Sequence, residues 1–256
     1  MIITSAANEQ IKSIIALKEK SKVRKTNKLF TVEGIKMFSE VPKKDLADVY
    51  VSESFQKQNK NILKNIDYKV VSDNVFKKIS DTVTPQGILA VVRQKNYTVD
   101  YIINNRKKNK SCIVVLDRLQ DPGNLGTIVR TGEGAGISGI ILSNDSADIY
   151  NPKVIRSTMG SIFRVPFAVT DNLPDAVDKL KACGITTYAA HLKGKEYNKG
   201  IFEQDCALLI GNEARGLSQE ISQKADRLIK IPMEGKVESL NAAVATAILM
   251  YEIKRE

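Results

Sequence analysis

The chain has 256 residues, 43% of them hydrophobic and 27% charged, which is room for one large domain or two ordinary ones with buried cores. Its three cysteines form no C-x-x-C pair and it has one histidine, which argues against a disulfide framework, a zinc site and a Ser-His-Asp hydrolase. The net charge of +10 is uneven: residues 1–110 carry 22 Lys and Arg against 11 Asp and Glu, whereas residues 111–256 carry 17 against 18. Such asymmetry suggests a polyanion-binding module joined to a near-neutral one.

The opening "MIITSAANEQ" has no basic region followed by an apolar stretch, so no secretory signal is expected. In "ANEQIKSIIALKEK", Ile11, Ile14, Ile15 and Leu17 suit a short helix, which runs into a basic segment through Arg24, Lys25 and Lys28. "LFTV" then reads as a strand or the start of a second helix. "DVYVS", "YKVVS" and "GILAVVR" are short strands, so residues 1–95 are expected to form a small basic α/β domain. Residues 96–110 are polar and basic over their second half and are taken as a linker.

From Ser111 the pattern changes. "CIVVL" is a continuous apolar run, as a strand buried on both faces should be. A loop follows, and Asn124 is placed as the cap of a helix through about Gly132. "GIIL", "RVPF", "TTYAA", "CALLIG" and "RLIKI" are strands, alternating with helices after Pro152, around "NLPDAVDKLKACG", at "SQEISQKA" and from Asn241 onward. This rhythm predicts a mostly parallel sheet covered on both faces. The longest apolar run, Ala242 to Tyr251, is about half the ~20 residues of a membrane span, so a cytoplasmic protein is expected. The closing helix is apolar on nearly every side, which buries it in a core or in a subunit interface.

"GAGISG", Gly134 to Gly139, matches the G-x-G-x-x-G of dinucleotide-binding loops. That loop needs a strand before it and a helix after it. Here a helix precedes and a strand follows, so the glycines read as a helix end and a nicotinamide or flavin site is set aside.

Three loops remain as sites. On the helix after Asn124, Leu125, Ile128, Val129 and Gly132 share one arc, and Arg130 lies opposite, which on its own is a solvated arginine. "GNEARGLS", from Gly211, follows a strand, where open α/β sheets place ligands, although Glu213 equally suits a helix N-terminal acid. In "IPMEGKVESLN", Ser239 or Asn241 can cap the closing helix. His191 reads as a residue near a strand end.

Together, "DPGNLGTIVRTGEGAG", "ALLIGNEARGLS" and "IPMEGKVESLNAAVATAILMYE" resemble the three motifs of the SpoU/TrmH branch of the SPOUT methyltransferases, in order and spacing across residues 111–256. "NPKVIRSTMGSIFRVPF" resembles the segment between the first two, and "FTVEG" and "TPQGILAVV" resemble the substrate-binding domain often fused to such enzymes. Gly132 and Gly134 stand where alanines are common, and Ala242-Ala243 replaces a frequent Val-Ser.

The resemblance implies 2′-O-methylation of a ribose in RNA with S-adenosylmethionine as donor. It implies a parallel sheet whose C-terminal segment forms a deep trefoil knot, and a homodimer through residues 111–256. Gly211, Ile231 and Leu240 would hold the cofactor, with Met233 nearby. Arg130 matches the family's catalytic arginine, and Asn124, Glu213, Ser239 and Asn241 would orient it, the ribose or the neighbouring loop. A guanidinium with a pKa above ~12 is a poor base, so Arg130 is read as a cation that stabilises the developing alkoxide. Arg24, Lys25 and Lys28 are expected to contact phosphates. Ribosomal RNA is the favoured substrate, with transfer RNA, or a non-catalytic role in RNA binding or ribosome assembly, as the alternatives.

Overall fold

The computed structural model describes residues 2–197 and 200–255. Its elements begin with β1 (Ile2–Ile3), α1 (Glu9–Glu19), α2 (Ser21–Asn27), β2 (Leu29–Glu33), α3 (Ile35–Ser39), β3 (Leu46–Ser52), α4 (Glu53–Gln58), β4 (Lys69–Val71), α5 (Asp73–Ile79) and β5 (Ile88–Arg93). They continue with α6 (Val99–Asn104), β6 (Ser111–Leu116), α7 (Pro122–Ala135), β7 (Gly139–Ser143), α8 (Pro152–Thr158), β8 (Phe167–Thr170) and α9 (Leu173–Ala182). The chain closes with β9 (Thr186–Glu196), β10 (Asp205–Ile210), α10 (Gln219–Lys224), β11 (Arg227–Lys230) and α11 (Ala242–Arg255). Two compact units result: Met1–Lys95 with Asp148–Phe163, and Asn96–Ala147 with Arg164–Glu256.

The first unit holds a five-stranded sheet in the order β1-β4-β3-β5-β2. β1, β4 and β3 are parallel, and β5 runs antiparallel to both β3 and β2. "LFTV" is therefore a strand, β2. Ile11, Ile14 and Leu17, one face of α1, pack with Val75, Phe76 and Ile79 of α5 against Tyr50, Leu89 and Val91 of the sheet. Segment 148–163 belongs here through its aromatic residues, since the Phe30 ring lies 4.6 Å from Tyr150 and 6.3 Å from Phe163. This differs from a boundary that gives all of 111–256 to one body.

One expected RNA contact fails in this unit. Arg24 is 2% exposed. Its Nη2 and Nε donate to Asp148 Oδ2 at 2.6 and 2.9 Å. Its Nη1 donates to the carbonyls of Leu17 and Lys18 at 2.7 and 2.8 Å. Those carbonyls are in the last turn of α1, where the helix itself has no N–H donors left to offer them. Arg24 thus closes α1 and is withdrawn from any phosphate, whereas Lys25 and Lys28 are exposed.

The second unit is a six-stranded sheet in the order β11-β9-β10-β6-β7-β8, parallel at every pairing. All six residues of β6 are buried, which explains its unbroken apolar run. Ile113 and Val115 of β6 pack with Ile102 and Ile103 of α6, Val177 and Leu180 of α9 and Ile221 of α10. α11 packs on α7 and against β6 and β10. The stretch taken as a linker thus contains α6, capped by Thr98, whose side chain accepts from the Tyr101 amide. Its buried Ile102–Ile103 pair gives it a core face.

From β6 the chain passes outward to β7 and β8, and β10 later packs on the other side of β6. The loops leaving β6 and β10 therefore flank a switch point at the carboxyl ends of the strands, where such sheets take ligands. α7 begins at a different cap from the expected one. Asp121 Oδ1 accepts from the Asn124 amide at 2.7 Å and Pro122 opens the helix, which frees the Asn124 side chain. α7 ends at Gly136, whose φ of 72° suits glycine and whose amide bonds back to the Glu133 and Gly132 carbonyls. "GAGISG" is accordingly a helix end followed by the start of β7.

Arg24→Ala should destabilise the protein by ~3 kcal/mol, because it leaves the Asp148 carboxylate without its buried partner. Lys25→Ala should stay within ~0.5 kcal/mol of the parent. Urea denaturation of both variants checks this, and equal stabilities would contradict the structural role of Arg24.

Candidate active site

A cavity of about 390 Å³ opens at the carboxyl ends of β9, β10 and β11. Gly211, Ile231, Met233 and Leu240, the four residues expected to hold a cofactor, all line it, as does Ser239. The volume falls in the range of small-molecule sites, ~300–1,000 Å³. Ile210, Leu217, Ala245 and Leu249 give it apolar walls.

Gly211 is the tightest point. A Cβ there would sit 2.1 Å from the Gly216 carbonyl carbon and from the Leu217 amide nitrogen. The loop folds back on its own origin, since the amides and carbonyls of Asn212 and Gly216 bond reciprocally at 3.0 and 2.9 Å. Asn212 Oδ1 accepts from the amides of Ala214 and Arg215, both at 3.0 Å. The buried Asp117, just after β6, accepts from the Ser218 amide at 2.7 Å and ties down the far end.

Glu213 does not start the nearest helix, because Ser218 caps α10. Its carboxylate reaches instead to the start of α7. Oε1 accepts from the Asp121 amide at 3.0 Å and from Asn124 Nδ2 at 3.1 Å, and Oε2 accepts from the Gln120 amide at 3.2 Å. Burial works against the charged form. The hydrogen bonds from Asp121, Asn124 and Gln120 outweigh it and hold the carboxyl below its ordinary range.

Asn241 completes the network. Its Oδ1 caps α11, accepting from the amides of Ala243 and Val244 at 2.9 and 3.3 Å, so its Nδ2 faces the other way. There it donates to Asn124 Oδ1 at 2.9 Å. Each amide orientation is set by its neighbour: helix cap, Asn241, Asn124, then the Glu213 carboxylate. Three segments distant in sequence are joined through these polar side chains and the backbone amides of Gln120 and Asp121.

Arg130 stands apart. It is exposed on α7, six residues beyond Asn124, and among the described residues it makes no hydrogen bond to the other four. Ser239 lies at the cavity without joining the network. Sequence reasoning missed Asp121, although an Asp before a Pro that opens a helix was a legible cap. It also missed the wall formed by Ala190, His191, Leu192 and Lys193, because β9 runs on past "TTYAA" to Glu196.

A model of the SpoU rRNA Methylase family matches residues 111–251, and one of the MRM3-like substrate binding domain matches residues 8–90. The chain belongs to the SpoU rRNA methylase family. The 23S rRNA (guanosine(2553)-2′-O)-methyltransferase RlmP of Bacillus subtilis is 35% identical to it over 257 residues, covering 98% of each protein. An AdoMet-bound rRNA methyltransferase from Sinorhizobium meliloti is 32% identical, covers 100% of this chain and 97% of its own, and superposes with a TM-score of 0.85. The SpoU methyltransferase AviRb from Streptomyces viridochromogenes, in complex with AdoMet, is 25% identical, with 97% of each chain covered and a TM-score of 0.85. Within this family member the motif positions form one cavity and one network, with Arg130 on the helix that the network anchors.

Gly211→Ala should weaken S-adenosylmethionine binding by at least about tenfold, measured by calorimetry, since the added methyl group has only backbone to displace. Unchanged affinity would contradict the close-packed loop.

Proposed function

We propose that this protein transfers the methyl group of S-adenosylmethionine to a ribose 2′-hydroxyl of ribosomal RNA. The observation that carries the reading is the cavity at the strand ends, lined by Gly211, Ile231, Met233 and Leu240 and bordered by the Glu213–Asn124–Asn241 network. These residues fit the cofactor: apolar walls suit its adenine and methylene groups, and Gly211 leaves its face of the cavity without a side chain. The cofactor supplies an electrophilic methyl group on a sulfonium, open to in-line attack.

The protein's own groups then align and stabilise. Holding the ribose in line removes much of the orientational cost of the displacement. The hydroxyl oxygen gains negative charge as its proton passes to solvent water, and Arg130 acts there as a cation, its guanidinium being too weak a base to take that proton. Glu213, Asn124 and Asn241 position the start of α7, and with it the helix that carries Arg130. Ser239 orients the ribose from the cavity side.

Lys25 and Lys28 of the first unit contact RNA phosphates, which gives affinity without sequence information. The C-terminal segment threads a deep trefoil knot. That reading is supported by the approach of Gly194 in β9 to the Ile229 backbone of β11, close enough to leave no room for a side chain. A homodimer forms through α11, whose outward Val244 and Tyr251 are 49% and 53% exposed. The enzyme works in the cytoplasm, and among the described residues no helix is long and apolar enough to cross a membrane.

Total RNA from a strain lacking the protein, incubated with it and labelled S-adenosylmethionine, should acquire label in ribosomal RNA at a position newly resistant to alkaline cleavage. Arg130→Ala should bind the cofactor normally and lose at least ~100-fold in methylation rate. Near-parental methylation by that variant would overturn the role of Arg130, and label confined to transfer RNA would overturn the substrate.

A further inference from the structure

We propose that Arg164 is a positioning residue for methyl transfer, holding the Glu133 carboxylate away from Arg130; this rests on the catalytic reading of Arg130 above. Arg130 and Glu133 are three residues apart on α7. At that spacing the two side chains are neighbours, with Cβ atoms about 5–6 Å apart, and an arginine and a carboxylate attract each other. Were that pair to form, it would take donors from the guanidinium and cancel the charge that the ribose oxygen requires.

Arg164, in the turn before β8, engages the acid first. Its Nε donates to Glu133 Oε1, and its Nη2 donates to Oε2 at 3.1 Å. This two-pronged arrangement matches the planar fork of arginine and occupies both carboxylate oxygens. The Arg164 and Glu133 side chains are 43% and 33% exposed, so the pair contributes little to folding. Its consequence is local: among the described residues Arg130 is left exposed and without an ion pair.

The test uses the full chain, tritiated S-adenosylmethionine and total RNA from a strain lacking the protein. Arg164→Ala should lower kcat about fivefold to tenfold, with the KM for the cofactor and the melting temperature unchanged. Glu133→Gln breaks the same ion pair, yet it should keep kcat within about twofold and restore it in the Arg164→Ala background. A merely structural bridge predicts the opposite, equal damage from either single change and no rescue. If Arg164→Ala is poorly folded, Arg164→Gln serves in its place with the same expected pattern. Parental kcat in the Arg164 variant, or no rescue by Glu133→Gln, would overturn the proposal. Arg130→Ala runs alongside: if it methylates normally, the catalytic reading falls and takes this inference with it. If it is inactive with cofactor bound while Arg164→Ala is fully active, only this inference falls.

Discussion

The carboxylate of Glu213 is the interaction on which the site depends. It accepts three hydrogen bonds from Gln120, Asp121 and Asn124, at the N-terminal end of α7, where unpaired amides and the helix dipole favour negative charge. Bonds to a charged acceptor are roughly twice as strong as neutral ones, so one side chain in the loop after β10 fixes the start of a helix about ninety residues earlier. Asn124, held by that carboxylate, presents its Oδ1 to Asn241, and Asn241 starts α11. The helix that carries Arg130 and the helix that backs the cavity are thereby set by one chain of hydrogen bonds.

The parallel sheet explains why this chain of bonds lies where it does. Its strand order brings β6 and β10 side by side, so the loops after them leave the same edge in neighbouring positions. Asp117 and Gly211 begin those loops, one gripping the Ser218 amide and the other packed against backbone with no room for a side chain. A rigid loop is what an alignment-driven reaction requires, because its rate depends on small displacements of the reacting atoms.

Much of this was legible in the sequence where a local rule and the tertiary structure agree. "CIVVL" and "CALLIG" read as buried parallel strands because both faces of each are covered, and the second and third motifs pointed to residues that line one cavity. The failures have physical causes. Arg24 looked like one more member of a basic run, since its partner Asp148 is 124 residues away and burial cannot be read from charge. Residues 96–110 looked like a linker because lysines after Asn105 mask the two isoleucines that α6 buries. Asn124 was placed as a cap, although Asp121 does that work and leaves Asn124 free to join the network. Periodicity described Arg130 correctly as an exposed residue, but it carries no information about the loops that fix the start of its helix.

A double-mutant cycle on S-adenosylmethionine affinity tests the network most directly, with Glu213→Ala, Asn241→Ala and the double variant measured by calorimetry. Both residues bond to Asn124, and among the described residues no hydrogen bond joins them directly, so their effects should be non-additive. The double variant should bind no more than about twofold worse than the weaker single one, a coupling on the order of 1 kcal/mol. Strictly additive losses would mean that the two loops are positioned independently, and would contradict the account.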